Sequence, residues 1–342
     1  MSIDLGRPGD FHVHLRDGAM AELVTPQVHS GGASVCYVMP NLVPPLDNVP
    51  AVLDYHKKLQ AIYNRPKYLM SLYLSPNITP ETIREAKSKN IYGVKCYPAG
   101  VTTNSAHGVG SYEPFFPVFA EMEKCDLVLN LHGECPSTGN INVMNAEPEF
   151  LPTLKMLHQR FPKLRIILEH CTTRAAVEAV KECGDTVAAT ITCHHLFLTV
   201  DSWGGNAFNF CKPVAKFPDD RQALIDAATS GSPKFFFGSD SAPHPLEAKT
   251  KGKNASAGVF TQNASIAYIS EAFHQSGNME NLKKFVTDNG KKFYKIDDSE
   301  LGKETVRLVK RPNKIPEVIE HESVVVVPFM AGETLEYSVE WV

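Results

Sequence analysis

The sequence predicts a closed parallel (β/α)8 barrel of the TIM type, with a C-terminal extension packed on it. Three observations carry this expectation. Eight short apolar, β-branched runs recur along the chain, and most segments between them show apolar residues at helical spacing. No Gly-x-Gly-x-x-Gly follows the first run, which disfavours the alternative, an open doubly wound sheet.

The strand candidates are 11–15, 33–39, 68–74, 92–97, 127–131, 165–168, 187–192 and 235–237. Helical patterns fall over 50–63, 114–124, 149–160, 173–183 and 219–229. Thr79-Pro80-Glu81-Thr82 starts a further helix, with proline just inside and an acid in the first turn. The first strand begins only about ten residues in, so no β domain is expected ahead of the barrel. Past Asn278 a helix over 279–288 is expected, then a Lys-, Pro- and Glu-rich stretch to Glu322 and apolar closing runs at 324–329 and 335–341. The expected organisation is a single domain over 1–342, with the barrel at about 8–290 and the extension at about 291–342.

Bulk properties narrow the function classes. The chain has 342 residues, a net charge of −4 and no basic block, so no nucleic-acid partner is expected. No apolar run is long enough to cross a bilayer, so no membrane partner is expected either. The first residues lack the pattern of a secretory signal. The eight cysteines form no Cys-x-x-Cys pair, and several sit in apolar runs. Reduced thiols in the cytoplasm are the simplest account.

In such barrels the reactive groups stand at the C-terminal ends of strands. On an extended 10–17 segment, His12 and His14 face the same way, about 7 Å apart along the backbone, and Arg16 follows on that face if the strand continues. The pair alone is weak evidence, because two histidines at that spacing arise easily by chance. Other strand ends supply more: Lys95 after the fourth run, His132 after the fifth, His170 after the sixth and Asp240 after the eighth. Six such groups following apolar runs are hard to ascribe to coincidence. Four imidazoles, a carboxylate and a lysine imply two divalent ions, and imidazole with carboxylate suits zinc. An ammonium cannot ligate a cation, but desolvation near metals depresses a lysine pKa. The neutral amine then adds carbon dioxide to give a carbamate, an anionic group that can bridge both ions. Taken singly, Lys95 also reads as a salt-bridged strand-end lysine.

These residues sit in longer motifs: Asp10–Asp17, Met39-Pro40-Asn41-Leu42, Lys95-Cys96-Tyr97-Pro98-Ala99 with Thr102-Thr103-Asn104-Ser105, His132-Gly133-Glu134, Glu169-His170 and Gly238–His244. Together they resemble the dihydroorotase family, in its short stand-alone form within the amidohydrolase superfamily. The likeness runs over nearly the whole chain. It implies reversible cyclisation of N-carbamoyl-L-aspartate to L-dihydroorotate in pyrimidine biosynthesis, with two Zn2+ ions and an N6-carboxylated Lys95. His12, His14, Lys95 and Asp240 would hold the more buried ion, and Lys95, His132 and His170 the more exposed one, with a hydroxide between them. Asp240 would be the proton carrier. Arg16, Asn41 and His244 would meet the substrate α-carboxylate. Segment 99–110 would be a lid, with Thr102 and Thr103 on the substrate, and the backbone near Lys212 and Ala257 would contact the ring. Lys212 departs from the apolar residue expected there, and 249–254 is more polar than in bacterial relatives. Glu134 reads as support for His132 or as merely polar. The resemblance also implies a homodimer acting on a small-molecule substrate. Two rival readings are a hydantoinase or dihydropyrimidinase on the same scaffold and a non-catalytic relative. The first has no need of the Arg16, Asn41 and His244 cluster, and the second would have lost metal ligands.

Overall fold

In chain order the strands are β1 (Ser2–Gly6), β2 (Gly9–Val13), β3 (Val35–Val38), β4 (Lys67–Leu69), β5 (Ser71–Tyr73), β6 (Gly93–Cys96), β7 (Val128–His132), β8 (Ile166–Glu169), β9 (Val187–Ile191) and β10 (Phe235–Phe237). Four more follow near the C-terminus: β11 (Val306–Lys314), β12 (Ile319–His321), β13 (Val324–Val326) and β14 (Thr334–Trp341). The structure is a computed structural model and describes residues 2–105, 108–251 and 253–342.

Strands β2 to β10 make the barrel. One parallel ladder runs β2-β3-β4 and another β5-β6-β7-β8-β9-β10. The expected run 68–74 is therefore two strands, broken at Met70: β4 pairs with β3, and β5 pairs with β6. Tyr92 N donates to Met70 O at 2.9 Å, so the hydrogen bonding continues across the break. On the other side the ring closes through Asp240 N to His12 O at 2.9 Å and His14 N to Ser241 O at 3.1 Å. The fold is the (β/α)8 barrel that the periodicity predicts.

The helices between strands begin where the sequence supplies caps. Asn48 accepts from Ala51 N at the start of Val49–Ile62, with Pro50 in the first turn. Thr79 and Thr82 cap Pro80–Ser88 reciprocally. Thr173 accepts from Ala176 N at the head of Arg174–Glu182. Apolar faces of these helices pack on the outside of the barrel, in a continuous buried cluster that includes Val52, Leu59, Ile83, Leu154 and Val177.

The barrel interior has its own packing. Phe11, Val35, Tyr37, Leu69, Val128, Ile167, Ala188 and Phe236 fill it, with Tyr294 closing the bottom. Phe11 stacks on Tyr294 with ring centroids 5.2 Å apart and meets Phe236 edge-on at 5.4 Å. The register of β2 against β3 shifts between Asp10 and Val13. That irregularity lets Phe11 plug the floor while His12, one residue on, still faces the mouth.

Two further parts differ from the sequence reading. Ser2–Gly6 is a strand, antiparallel to β11, which also pairs with β14. Nothing local marks it, because its partner lies some three hundred residues away. The helix expected over 279–288 is a 3-10 turn (Met279–Asn281), then a π turn (Lys284–Asp288) that leads into the α-helix Asn289–Tyr294. Thr287 Oγ1 donates to Leu5 O at 2.8 Å in this stretch, tying it to β1.

Gly290 lies in that last helix against the barrel floor. A Cβ there would sit 2.1 Å from Phe11 Cε2, and Phe11 has no slack between Tyr294 and Phe236. Gly290→Ala is therefore expected to destabilise the protein by about 1–3 kcal/mol through overpacking. The urea unfolding midpoint checks this; a wild-type midpoint would contradict the packing described.

Candidate metal centre and active site

The mouth of the barrel collects the polar strand ends. Asp10 anchors the arrangement from below: its Oδ1 accepts from Ser239 N at 2.8 Å and from His12 N at 3.2 Å. Gly238 leaves the room this needs, since a Cβ there would meet Thr190 Cγ2 at 2.8 Å and His12 Cβ at 3.0 Å. His12, His14 and Asp240 converge, each offering a ligand atom within 4.8 Å of the others. Asp240 Oδ1 lies 3.3 Å from His12 Nε2 and 3.0 Å from His14 Nε2.

The other ring nitrogens decide what these contacts mean. His12 Nδ1 donates to Glu169 Oε2 at 2.7 Å. His14 Nδ1 donates to Asn41 Oδ1 at 2.9 Å, and Asn41 Nδ2 donates to Thr103 O at 3.1 Å, which fixes the amide orientation. With each Nδ1 donating, the Nε2 atoms of His12 and His14 are left to face the Asp240 carboxylate. Burial pushes the His14 pKa down to about 4; burial also works to lower His12, but Glu169 and Asp240 outweigh it and raise its pKa. Burial works to raise the Asp240 carboxyl, but the positive charge favoured on His12 beside it outweighs this and holds it well below the usual range. A cation placed among these three atoms would displace any proton on His12 Nε2 and could take all three as ligands.

The remaining groups stand alongside. The ring of His170 lies 5.1 Å from that of His12 and 4.7 Å from that of His132. His132 Nε2 donates to Glu134 Oε2 at 2.8 Å, which leaves Nδ1 bare and shows Glu134 supporting His132. Burial lowers the pKa of His132 and of His170, favouring the neutral form a metal requires. Lys95 is fully buried on β6, 5.1 Å from the Tyr97 ring centroid. Its Nζ and the Nδ1 of His170 have no hydrogen-bond partner among the described residues. Burial drives the Lys95 pKa down, toward the neutral amine. An orphaned buried amine is costly as it stands, and it fits a site completed by a carbamate and metal. His170 and Asp240 both take positive φ, 41° and 45°, so the backbone turns sharply as each leaves its strand.

The substrate-side candidates lie around this centre. The strand does not reach Arg16; β2 ends at Val13, and Arg16 takes φ 59°. A left-handed turn, held by Tyr55 OH donating to Arg16 O at 2.5 Å, replaces the expected alternation. Arg16 Nε donates to Pro243 O at 3.1 Å, and its Nη2 lies 3.4 Å from His244 Nε2. His244 in turn donates to Ala257 O at 3.0 Å. Burial and then Arg16 push His244 down to about 3, so it is neutral beside the guanidinium. Thr102 and Thr103 are half-buried, in a segment laid against the mouth. Asn104 Nδ2 donates to Asn41 O at 3.0 Å, and Lys212 Nζ donates to Val101 O at 2.9 Å. The Lys212 side chain thus reaches segment 99–110 instead of the apolar contact expected there. Ala106 and His107 of that segment lie outside the described residues.

Sequence reasoning missed the buried network beneath the site. Glu169 accepts from His12 Nδ1, from Thr190 Oγ1 at 2.5 Å and from Asn130 Nδ2 at 2.7 Å. Asn130 continues to the hydroxyls of Tyr37 and Tyr294, each at 2.7 Å. The available signal was a glutamate ending the otherwise apolar Ile166-Ile167-Leu168 strand. A second grouping, His194, His195 and Cys211, is also buried. There both His195 nitrogens are taken, by Thr192 Oγ1 and Pro213 O, so it differs in kind from the mouth of the barrel.

No family model matches the chain. Full-length relatives do. A protein named probable dihydroorotase from Schizosaccharomyces pombe is 52% identical, covering 100% of both chains. The dihydroorotase of Saccharomyces cerevisiae is 49% identical over 99% of this chain and 98% of that protein. The crystal structure of dihydroorotase from Saccharomyces cerevisiae in complex with 5-fluoroorotic acid superposes with a TM-score of 0.97 at 49% identity, covering 99% of this chain and 98% of that one.

Glu169 touches His12 on the side away from Asp240, so its loss should loosen that imidazole without removing a candidate ligand. Glu169→Gln is expected to weaken divalent-metal binding about 10- to 100-fold. Competition against a chromophoric chelator measures this, and unchanged affinity would contradict the role given to the network.

Proposed function

Because this chain belongs to the dihydroorotase family, we propose that it interconverts N-carbamoyl-L-aspartate and L-dihydroorotate, the open and closed forms of one ring, with water as the other reactant. The observation that carries the reading is the convergence of two buried imidazoles on Asp240 beside an orphaned buried lysine. We assign His12, His14, Asp240 and a carbamate on Lys95 to one zinc ion, and that carbamate with His132 and His170 to a second. When bound, the ions supply Lewis acidity, lowering the pKa of a water and offsetting charge that develops on the ring carbonyl.

The protein's own groups do the rest. In the hydrolytic direction Asp240, held as a carboxylate, accepts the proton that the attacking water loses. It then gives that proton to the ring nitrogen as the amide bond breaks. In ring closure the order reverses: Asp240 takes the proton of the attacking nitrogen and delivers it to the departing oxygen, and the net reaction consumes one proton from solvent because a carboxylate becomes an amide and water. Cyclisation is accordingly favoured by acid and hydrolysis by base. Arg16 presents a planar fork to the substrate α-carboxylate, with Asn41 and His244 beside it. Thr102 and Thr103 reach the substrate from segment 99–110, which covers the mouth and excludes water. The backbone at Lys212 and Ala257 meets the ring. The chain acts as one domain, with the barrel at about 8–290 and the remainder as an extension. We place it in the cytoplasm as a homodimer; among the described residues no helix is long and apolar enough to cross a membrane.

Two experiments test this. A hydantoinase-type hydrolase on the same scaffold has no use for a guanidinium beside His244. The protein is therefore expected to hydrolyse dihydroorotate and to leave dihydrouracil, which lacks the carboxylate, essentially untouched. Comparable rates on both would overturn the substrate assignment. Asp240→Asn should retain much of its metal, since an amide oxygen can still ligate, but lose turnover by about 100- to 10,000-fold. Near-normal kcat in that variant would refute Asp240 as the proton carrier.

A further inference from the structure

Lys249 lies five residues beyond His244, in a short helix, Leu246–Thr250, whose neighbours in sequence are polar. A lysine there would ordinarily reach solvent. Its residue is instead only 6% exposed. The ammonium donates to three backbone carbonyls: Phe210 O at 3.0 Å, Ser256 O at 2.9 Å and Gly258 O at 2.7 Å. All three of its protons are used, and no carboxylate pairs with it among the described residues. Such a group is expensive to bury, and burial has pushed it down to about 8. Only the carbonyls it gathers offset that cost.

Those carbonyls belong to two separate loops. Phe210 is two residues before Lys212, whose own side chain holds Val101 of the covering segment. Ser256 and Gly258 flank Ala257, whose carbonyl is left to accept from His244. Gly258 N also donates to Phe210 O at 2.9 Å, so the two loops meet at the point the ammonium grips.

We infer that Lys249 is a positioning residue: its ammonium fastens the 210–212 and 256–258 backbones to each other and thereby sets the distance between the ring contacts and the Arg16–His244 anion site. It touches neither metal ligands nor substrate. The inference rests on the activity proposed above for the kinetic part of its test, and on geometry alone for the rest.

The experiment compares wild type, Lys249→Met and Lys249→Arg by steady-state hydrolysis of dihydroorotate, zinc content and hydrogen-exchange mass spectrometry. Lys249→Met should raise KM at least about tenfold while kcat changes less than about threefold and zinc content stays at the wild-type value. Peptides covering 208–213 and 255–260 should exchange faster together, with the barrel strands unchanged. A wild-type KM overturns the inference even if exchange rises, because the lysine is then structural only. Unchanged exchange in the two segments overturns it as well. Lys249→Arg keeps the charge but cannot point three protons from one nitrogen, and should show both effects in smaller measure; should the Met variant fail to fold, a wild-type KM or exchange pattern in the Arg variant overturns the inference. If wild type itself does not act on dihydroorotate, the activity assignment fails, and exchange alone then decides whether Lys249 joins the loops.

Discussion

Two imidazole nitrogens and a carboxylate oxygen meet at the barrel mouth, at 3.0 and 3.3 Å. That arrangement gathers three candidate metal ligands at one buried point. The rest of the molecule holds it in place: Glu169 and Asn41 claim the far nitrogens, burial keeps His14 neutral, and the His12–Asp240 backbone bond that closes the barrel brings the carboxylate across. A cation bound there would use all three atoms, which accounts for the concentration of buried polar groups at one end of an otherwise apolar barrel.

Support for the site extends down through the core and into the C-terminal part of the chain. Glu169 passes its hydrogen bonding to Asn130 and then to Tyr37 and Tyr294. Tyr294 also stacks on Phe11, the residue before His12. The helix Asn289–Tyr294 therefore bears on the site from below, by packing and by hydrogen bonds. On the rim a second set of polar contacts, from Asn41, Lys212 and Lys249, ties the loops to one another. Strand ends carry the groups we assign to metal, whereas loops carry those we assign to the substrate.

Much of this was legible in the sequence, for physical reasons. The eight barrel runs stand out because a parallel strand is buried on both faces and so reads as continuous apolar residues. The candidate ligands stand out because each is a polar residue directly after such a run. What could not be read depends on distant partners. Ser2–Gly6 is a strand only because β11 lies beside it. The break at Met70 reflects two neighbouring strands competing for one run. The Arg16 turn interrupts an alternation that looked regular. Asn41 reads as a turn residue until His14 is seen against it, and Lys249 reads as a solvated lysine until its three carbonyls are seen.

The central claim is that the mouth of the barrel is a two-metal site completed by carbon dioxide on Lys95. Elemental analysis of protein loaded with zinc in the presence of bicarbonate, paired with intact mass under non-denaturing conditions, tests it most directly. The account predicts two zinc ions per chain and a mass increment of one carbon dioxide that disappears with Lys95→Ala. Metal-replete protein that holds no zinc, with Lys95 as an unmodified amine, would contradict it.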